Sequence, residues 1–437
     1  MEARKSFGNN MKMNKIFSIV VFFVMAVLPS ALMAQTGAQT GITDRLDRIS
    51  QRSDLLVTTD MVIDGLTFTE GNSIRLLKSG HDKFEDLFKA VKEAKSFIHL
   101  EYFNFRNDSI ANLLFDVLAD KVREGVEVRA MYDAFGNMSN NQPISRHRHD
   151  SIANLGIKLV KFDPLNFPWI NHIIPRDHRK IVVIDGRIAY TGGMNVADYY
   201  ITGTPVVGAW RDMHMHIEGP AVNELHKIFC AMWYKLTKEL LYEDKYFPQP
   251  ILQPENMKMA VVDRCPNHTN KSIRRLYTSM LNHAQHKIVL INPYFVPTHK
   301  VRSALKHAID RGVDVQIMLS SRSDIPLTPD ASYYVANNLM KRGAKLYLYE
   351  GGFHHTKAMM VDSLFCTVGS SNLDSRSLRC DYEVNTLIMD PRITRELLEM
   401  FNEDKKNSTE IHPGWWKKRK FGAKFRGWFA NLLTPVL

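Results

Sequence analysis

An eight-residue pattern occurs twice in the chain and constrains its fold more than any other feature. Residues 178–185 read HRKIVVID and residues 355–362 read HTKAMMVD, so both copies have the form H-x-K-x-x-x-x-D. A glycine and an asparagine follow each copy at equal distances. The matching pairs, each 177 residues apart, are His178 and His355, Lys180 and Lys357, Asp185 and Asp362, Gly192 and Gly369, and Asn195 and Asn372. A repeat of this length indicates two copies of one half-domain rather than a solenoid array.

The spacing within each copy predicts a buried strand that presents two functional side chains. Residues two apart on a strand point to the same face, so the histidine and the lysine of each copy project together. The runs 182–184 and 359–361 are apolar without alternation, which is typical of a strand buried on both faces. If the two halves pack about a pseudo-twofold axis, two imidazoles and two ammonium groups converge at the seam.

Such a group of side chains suits a phosphate diester. The lysines would hold the phosphate charge, one imidazole would attack phosphorus, and the other would protonate the leaving oxygen. A single H-x-K pair would be read as a chance surface pair. Two copies, each with its own Gly and Asn, argue against that interpretation.

The two stretches resemble the paired HKD motifs of the phospholipase D superfamily, and their flanks resemble its bacterial cardiolipin synthase branch. The similar segments run from about Ser73 to the C-terminus. The flanking sequences are YTGGMN at 190–195, WRD at 210–212, NPYFVP at 292–297 and GSSNLDSRS at 369–377. The resemblance implies an α/β fold in which two pseudo-twofold-related α/β/α halves pack around a single shared active site.

The order of predicted elements agrees with this fold class. Periodicity predicts helices at 84–94, 110–123, 273–284 and 300–311, and strands at 96–103, 126–132, 288–291 and 313–319. Alternating helices and strands favour a parallel or mixed sheet with helices on its faces. The predicted domains are a signal peptide or membrane anchor at 1–34, a linker at 35–54, a first half at 55–247, a second half at 248–411 and a basic aromatic tail at 412–437.

The N-terminal segment has the order of a secretory signal. Lys12 and Lys15 precede the apolar run 16–28, and small residues follow before Gln35. If the apolar run is extended to Ala34, it approaches the length that spans a bilayer. The segment can therefore be interpreted as a cleaved signal peptide or as an uncleaved anchor. Either places the catalytic body on the extracytoplasmic side of the bacterial inner membrane, because the lysines stay inside.

The resemblance also implies the site residues. A catalytic imidazole needs a partner that fixes its tautomer and orientation. Glu383, 28 positions after His355, matches the carboxylate that superfamily members carry there, and Asp212 is its first-half counterpart after a shift of six residues. Asn195 and Asn372 can donate amide hydrogens to a phosphate oxygen. The implied set comprises His178, Lys180, Asp185, His355, Lys357 and Asp362 with Asn195, Asn372, Asp212 and Glu383 in support.

The implied mechanism is a two-step displacement that needs no metal and no other cofactor. By the superfamily's usual division of labour, His178 attacks phosphorus, and His355 protonates the departing glycerol and then deprotonates the incoming hydroxyl. The symmetry of the sequence does not decide which histidine is the nucleophile. By resemblance, Asp185 and Asp362 hold the motif strands through hydrogen bonds and carry no protons.

The leading functional prediction is transfer of a phosphatidyl group between two phosphatidylglycerols, which gives cardiolipin and glycerol. The alternatives are a hydrolytic phospholipase D, a phosphatidylserine synthase, a nucleic-acid phosphodiesterase and a binding module without catalysis. The net charge of +11 suits either nucleic acid or an anionic membrane. No segment resembles a base-stacking platform, so the expected partners are anionic phospholipid and a membrane surface, without nucleic acid. The oligomeric state is not set by the sequence.

Two segments of the sequence each have two possible interpretations. In the tail, six basic residues lie between 417 and 426. One helical stripe is formed by Phe421, Phe425, Trp428, Phe429 and Leu432. This pattern predicts binding to a membrane surface, and the alternative is docking of the stripe on the protein's own core. The aromatic loop between Pro164 and Arg176 either packs at the seam or contacts acyl chains.

Overall fold

Helices and strands alternate along both halves of the chain. The computed structural model of the protein describes residues 52–164, 174–326 and 328–432. Its helices are α1 (Ser53–Ile63), α2 (Gly80–Glu93), α3 (Ser109–Arg123), α4 (Ala134–Ser139), α5 (Arg146–Ala153), α6 (Tyr199–Thr202), α7 (Ala221–Thr237), α8 (Ser272–His283), α9 (His299–Asp310), α10 (Thr328–Met340), α11 (Ser375–Arg379), α12 (Pro391–Lys406), α13 (Trp415–Lys418) and α14 (Phe421–Leu432).

The strands follow the same repeated order. They are β1 (Phe68–Leu77), β2 (Phe97–Tyr102), β3 (Glu127–Asp133), β4 (Lys158–Phe162), β5 (Lys180–Ile184), β6 (Ile188–Gly192), β7 (Trp210–Arg211), β8 (His214–Glu218), β9 (Met257–Arg264), β10 (Lys287–Ile291), β11 (Asp314–Ser320), β12 (Lys345–Tyr349), β13 (Phe353–His354), β14 (Ala358–Val361), β15 (Phe365–Gly369), β16 (Glu383–Ile388) and β17 (Ser408–Ile411). Only β7 and β13 stand apart, as a two-stranded parallel sheet.

Fifteen strands of the described residues form one sheet that is symmetric about the antiparallel pair β1 and β9. Outward from β1 the order is β8, β6, β5, β2, β3, β4, and outward from β9 it is β16, β15, β14, β10, β11, β12, with β17 as one additional edge strand beyond β12. Strands β2, β3 and β4 are parallel to one another, as are β10, β11 and β12, and the other neighbours, including β12 and β17, are antiparallel. The predicted mixed α/β sheet is therefore confirmed.

Local signals explain where helices begin and end. The side chains of Ser79 and Asp108 cap α2 and α3 by accepting hydrogen bonds from backbone N–H groups three residues later. Gly312 follows α9 with φ near +88°, a conformation that ends a helix and that glycine adopts without a steric penalty. The helix boundaries predicted for both halves are met to within four residues.

Helices cover both faces of the sheet. Alternate residues of β5 enter different cores: Val182 and Ile184 pack with α2 and α3, whereas Ile181 and Val183 pack toward α7. The core on the α7 side also contains α12 and joins residues of both halves. This shared core fixes the two halves against each other at the seam where the motifs lie.

The motif strands begin later than the spacing predicted. β5 begins at Lys180 and β14 at Ala358, so His178, His355 and Lys357 lie in extended segments that precede the strands. The strands themselves are buried at every position, as predicted. The reason for the late start is that these extended segments leave their own half and pair with the other one, as described below.

The helix α1 packs on the second half although it lies at the start of the segment predicted to form the first half. Val57 and Met61 share a core with α8. The hydroxyl of Ser279 in α8 donates a hydrogen bond to the Asp60 carboxylate at 2.7 Å. The helical layer of the second half thus contains a segment from the beginning of the described chain.

The tail helix α14 docks on α10 and keeps its aromatic stripe exposed. Arg419 and Arg426 both bind the Asp330 carboxylate of α10, and Ala430 packs against Val296 and Ala331. The exposed aromatic side chains are Phe421, Phe425, Trp428 and Phe429. Docking on the protein therefore uses the face opposite to the predicted stripe.

Two predicted segments lie outside the described residues. They are residues 1–51, which include the signal or anchor segment and most of the linker, and residues 165–173 of the aromatic loop. Across the three described ranges, no helix combines the length and the apolar character needed to cross a bilayer.

Candidate active site

Each motif histidine is held by the main chain of the opposite half. The His178 N–H donates to the Tyr382 carbonyl at 3.0 Å, and the His355 N–H donates to the Arg211 carbonyl at 2.6 Å. The first contact continues a parallel bridge between Asp177 and Tyr382, and the second continues the pairing of β7 with β13. Neither half alone could therefore hold its histidine in this position.

The imidazoles are paired with carboxylates in the same crossed manner. His178 Nδ1 lies 3.0 and 3.1 Å from the two carboxylate oxygens of Glu383 in the second half. His355 Nδ1 lies 2.6 Å from Asp212 Oδ2 in the first half. Both carboxylates are fully buried. A carboxylate at Nδ1 fixes the proton on that nitrogen and leaves Nε2 of the neutral ring free to react.

Strand register makes Asp212 and Glu383 equivalent. Gly192 pairs with His214 and Gly369 with Asn385, so each carboxylate lies two residues before the partner of its motif glycine. A side chain at Gly193 would collide with Asp212, because an added Cβ would lie 2.3 Å from Oδ1. The second half has Ser370 at that position, and its hydroxyl donates to the longer Glu383 side chain. The first half has six more residues than the second half between its motif histidine and its carboxylate. These six residues lengthen the loop before β7.

The two motif lysines are buried beside the histidines. Lys180 Nζ donates to the His178 carbonyl at 2.6 Å, and Lys357 Nζ lies 2.9 Å from His355 Nε2. Burial, together with the charge of Lys357, lowers the pKa of Lys180 to about 7 although Glu383 acts in the opposite direction. Burial likewise lowers the pKa of Lys357 to about 8, although Asp212 opposes the shift.

Burial and positive neighbours lower the pKa of both imidazoles. Burial, followed by the charge of Lys180, lowers the pKa of His178 well below its usual value. Burial and Lys357 lower the pKa of His355, while Asp212 acts in the opposite direction. A neutral imidazole is the form that can attack phosphorus or accept a proton.

Asp185 and Asp362 lie at the far ends of the motif strands and brace the sheet. The Asp185 carboxylate accepts three backbone hydrogen bonds from residues 95–97. The Asp362 carboxylate accepts three from residues 285–287. Both aspartates adopt a positive φ, near 53° and 52°, which the local hydrogen bonds stabilise. The two motif aspartates therefore contact the chain before β2 and β10, away from the imidazoles.

A cavity of about 970 Å³ opens between the halves above the two histidines. Asn195 and Asn372 line it and are buried, and their side-chain oxygens have no hydrogen-bond partner among the described residues. Lys83, itself fully buried, donates to the Met194 and Asn195 carbonyls and so holds the loop that carries Asn195. The volume is in the range of pockets that take small ligands or lipid head groups.

The fold and this geometry agree with the comparisons to known proteins. The sequence profile of the family described as "Cardiolipin synthase, PLD-like domain" matches residues 87–233 and 277–405. The chain belongs to this family. The two matched segments contain both HKD motifs and both partner carboxylates.

Individual relatives cover most of the chain. It is 36% identical to the "Probable cardiolipin synthase YwiE" of Bacillus subtilis over 84% of this chain and 72% of that protein. It is 31% identical to "Cardiolipin synthase 2" of Bacillus anthracis over 99% of this chain and 82% of that protein. Among solved structures, a phosphatidylserine synthase from Haemophilus influenzae has the same fold, with a TM-score of 0.66 at 13% identity over 87% of this chain and 100% of that one.

In this member of the cardiolipin synthase family, several cavity residues had not been predicted from the sequence. They are Phe103, Tyr294, Asp324 and Arg376. Phe103 packs edge-on against His178 at 5.0 Å, and Tyr294 against His355 at 6.1 Å. The motif repeat could not reveal them, because the equivalent positions in the other half hold different residues. Tyr294 and Arg376 do lie within the family-like flanks NPYFVP and GSSNLDSRS, which was the one available signal.

Proposed function

We propose that the protein transfers a phosphatidyl group from one phosphatidylglycerol to another and releases glycerol. The observation that carries this proposal is the crossed arrangement of two imidazoles, each with a buried carboxylate from the opposite half, in one cavity beside two lysines. Such a site can make and break a phosphodiester bond twice without releasing the lipid portion. The similarity to cardiolipin synthases supports phosphatidylglycerol as donor and acceptor.

In the first step His178 Nε2 attacks phosphorus and a phosphatidyl-histidine forms. The phosphorus–oxygen bond to glycerol breaks, and His355 in its protonated form gives a proton to the departing oxygen. In the second step a hydroxyl of the incoming lipid attacks phosphorus, His355 takes its proton, and the bond to His178 breaks. Lys180, Lys357, Asn195 and Asn372 bind the phosphate oxygens that gain charge.

The two carboxylates support this division of roles. Burial raises the pKa of Asp212, but the charges of Lys357 and His355 outweigh burial, so its pKa lies below the usual value and it stays ionised. An ionised Asp212 stabilises the imidazolium that His355 must form as acid and base. Burial raises the pKa of Glu383 despite Lys180, which gives His178 less support as a cation and favours it as the nucleophile.

A hydrolytic phospholipase D would use the same side chains with water as the acceptor. Purified protein should be incubated with phosphatidylglycerol vesicles, and the lipid products and free glycerol should be measured by mass spectrometry. We expect cardiolipin and glycerol in equal amounts as the main products. Phosphatidic acid as the main product at high lipid concentration would contradict the proposal and favour the hydrolase.

We further propose that the protein works at the outer face of the bacterial inner membrane, bound through its N-terminal segment and its tail. The four exposed aromatic side chains of α14 suit the interfacial zone of a bilayer. Lys417, Lys418, Lys420 and Lys424 can face anionic head groups. The docked face of α14 contacts Val296, which also lines the cavity, so binding at this face would bring lipid close to the site.

A further inference from the structure

The cavity wall beside His355 carries a tyrosine–aspartate pair. Tyr294 follows β10 and Asp324 follows β11, and both line the cavity. The Tyr294 hydroxyl donates a hydrogen bond of 2.6 Å to Asp324 Oδ1. The Tyr294 ring lies edge-on to the His355 imidazole, with 6.1 Å between ring centroids. Asp324 is exposed to the cavity, and within the described ranges its carboxylate makes no ion pair.

Among the residues that the structure describes, the His178 side has no such pair. Counted from the strand registers, the equivalent positions are Asn104 and Asn137. The Asn137 side chain is buried and makes hydrogen bonds to the backbone of Ile144, so it is not available to a ligand in the cavity. This side instead has the Arg376 guanidinium in the cavity wall, where it also pairs with Asp381. The cavity is therefore asymmetric: Arg376 lies on the His178 side, and on the His355 side Asp324 makes no ion pair with any described residue.

The pair offers hydrogen-bond acceptors and no spare donor. Because the Tyr294 proton is committed to Asp324, the remaining lone pairs of the tyrosine oxygen and the second carboxylate oxygen can only accept hydrogen bonds. A phosphate would be repelled there and belongs beside the lysines. A hydroxyl group is the neutral donor that fits, and it must lie close to the oxygen that exchanges a proton with His355.

We propose that Asp324 and Tyr294 form a subsite for the hydroxyl adjacent to the reacting oxygen of a glycerol head group, so that the enzyme selects a vicinal diol. This inference rests on the proposed transfer reaction. In glycerol the neighbouring hydroxyl is one carbon away from the reacting one, which matches two acceptors placed beside His355. Lys357, 2.9 Å from His355 Nε2, already supplies a positive charge that interacts with Asp324, so a neutral hydroxyl donor suits the pair better than a second cation.

The same subsite serves both steps. In the first it holds the glycerol that leaves, and in the second it holds the glycerol group of the acceptor lipid. In this second step the bond between phosphorus and His178 breaks, the bond between phosphorus and the diol oxygen forms, and the proton of the attacking hydroxyl passes to His355. Water lacks the adjacent hydroxyl, so the subsite favours transfer over hydrolysis.

A competition experiment tests the subsite in the full-length protein. Phosphatidylglycerol vesicles are supplied with equal concentrations of 1,2-propanediol and 1-propanol, and the ratio of the two phosphatidyl alcohols is measured by mass spectrometry. This ratio is set after the covalent intermediate, so it is independent of the folded fraction and of the first step.

We expect wild type to favour the diol, and Asp324→Asn to lower the ratio about tenfold, as for loss of a hydrogen bond to a charged group. Tyr294→Phe should lower it less, and Asn141→Ala, which alters another residue that lines the cavity, should leave it unchanged.

Three results would overturn the subsite. The first is an unchanged ratio in Asp324→Asn. The second comes from ethanolamine as a third competitor: if the substitution removes a preference for the amine and leaves the diol preference intact, the pair binds cations. The third is wild-type transfer to both alcohols without selection. If wild type forms only phosphatidic acid, the proposed transfer function itself fails, which separates that failure from failure of the subsite alone.

Discussion

His178 and His355 occupy equivalent places in the two halves, yet their surroundings differ in charge. His178 contacts Glu383, whose pKa is raised by burial, and Arg376 lies on its side of the cavity. His355 contacts Asp212, whose pKa is lowered, and Asp324 lies on its side. The symmetric sheet therefore supplies two similar imidazoles in differently charged surroundings, and this difference is the basis of the proposed division of roles.

The largest expected effect comes from the histidines themselves. His178→Ala and His355→Ala should each lower turnover by about 10³-fold or more, and the double variant should lose little more, because groups that act as a unit are not additive. Turnover of phosphatidylglycerol would be followed by cardiolipin formation. Retention of most activity in either single variant would exclude one composite site.

The same pair of variants can separate the roles. If His178 is the nucleophile, His355→Ala should accumulate lipid on His178, because release needs the second histidine. Intact-mass measurement and peptide mapping would locate the adduct. An adduct on His355 in His178→Ala would reverse the assignment.

The carboxylates provide the next test of the comparison. Asp212→Asn and Glu383→Gln should each reduce kcat by roughly 10²–10⁴-fold, since loss of a histidine-orienting carboxylate disturbs the tautomer. We expect the larger loss for Asp212→Asn, because the ionised Asp212 supports the imidazolium at His355. Equal losses, measured with both variants shown to be folded by circular dichroism, would mean that the two sides share the proton transfer.

Much of this site could be predicted from sequence because it lies in the repeat. The offset of 177 residues located both motifs and both asparagines, and the apolar runs predicted buried strands. The crossed pairing could not be predicted, since it depends on which half the extended segments before Lys180 and Ala358 reach. Asp324 gave no signal, because its counterpart Asn137 has a different role. The docking of α14 depends on Asp330, a residue far from the tail in the sequence.

The lysines predict a pH dependence. Their folded pKa values are lowered to about 7 for Lys180 and about 8 for Lys357, so each loses its charge as the pH rises through that value. The phosphate-binding charge is thus nearly complete only about one pH unit below 7, and kcat/KM should fall by about tenfold or more between pH 7 and 9. Lys180→Arg keeps its charge at all these pH values and should move the decline upward, whereas Lys158→Arg at the surface should not. A flat wild-type profile over this range would contradict the prediction.

The motif aspartates test the symmetric part of the molecule. Asp185→Asn and Asp362→Asn should each lower the free energy of unfolding by about 1–3 kcal/mol, because each leaves backbone donors poorly paired. The two losses should be similar, since both carboxylates accept three backbone hydrogen bonds in the same geometry. Denaturant unfolding would measure them. A large drop in kcat with unchanged stability would instead assign these residues to the chemistry.

The smallest expected effect concerns α14, which extends only the second half. A Phe421→Ser/Phe425→Ser variant removes two exposed rings and leaves the contacts of Arg419 and Arg426 with Asp330 intact. Leu113→Ser/Met138→Ser, at exposed positions of the first half, is the matched control. With residues 1–51 removed from all proteins, we expect the tail variant to bind phosphatidylglycerol vesicles about fivefold more weakly, because apolar groups at a bilayer surface each contribute to binding. Sedimentation with vesicles would measure the binding. Equal weakening in both variants would show that membrane contact is not specific to α14.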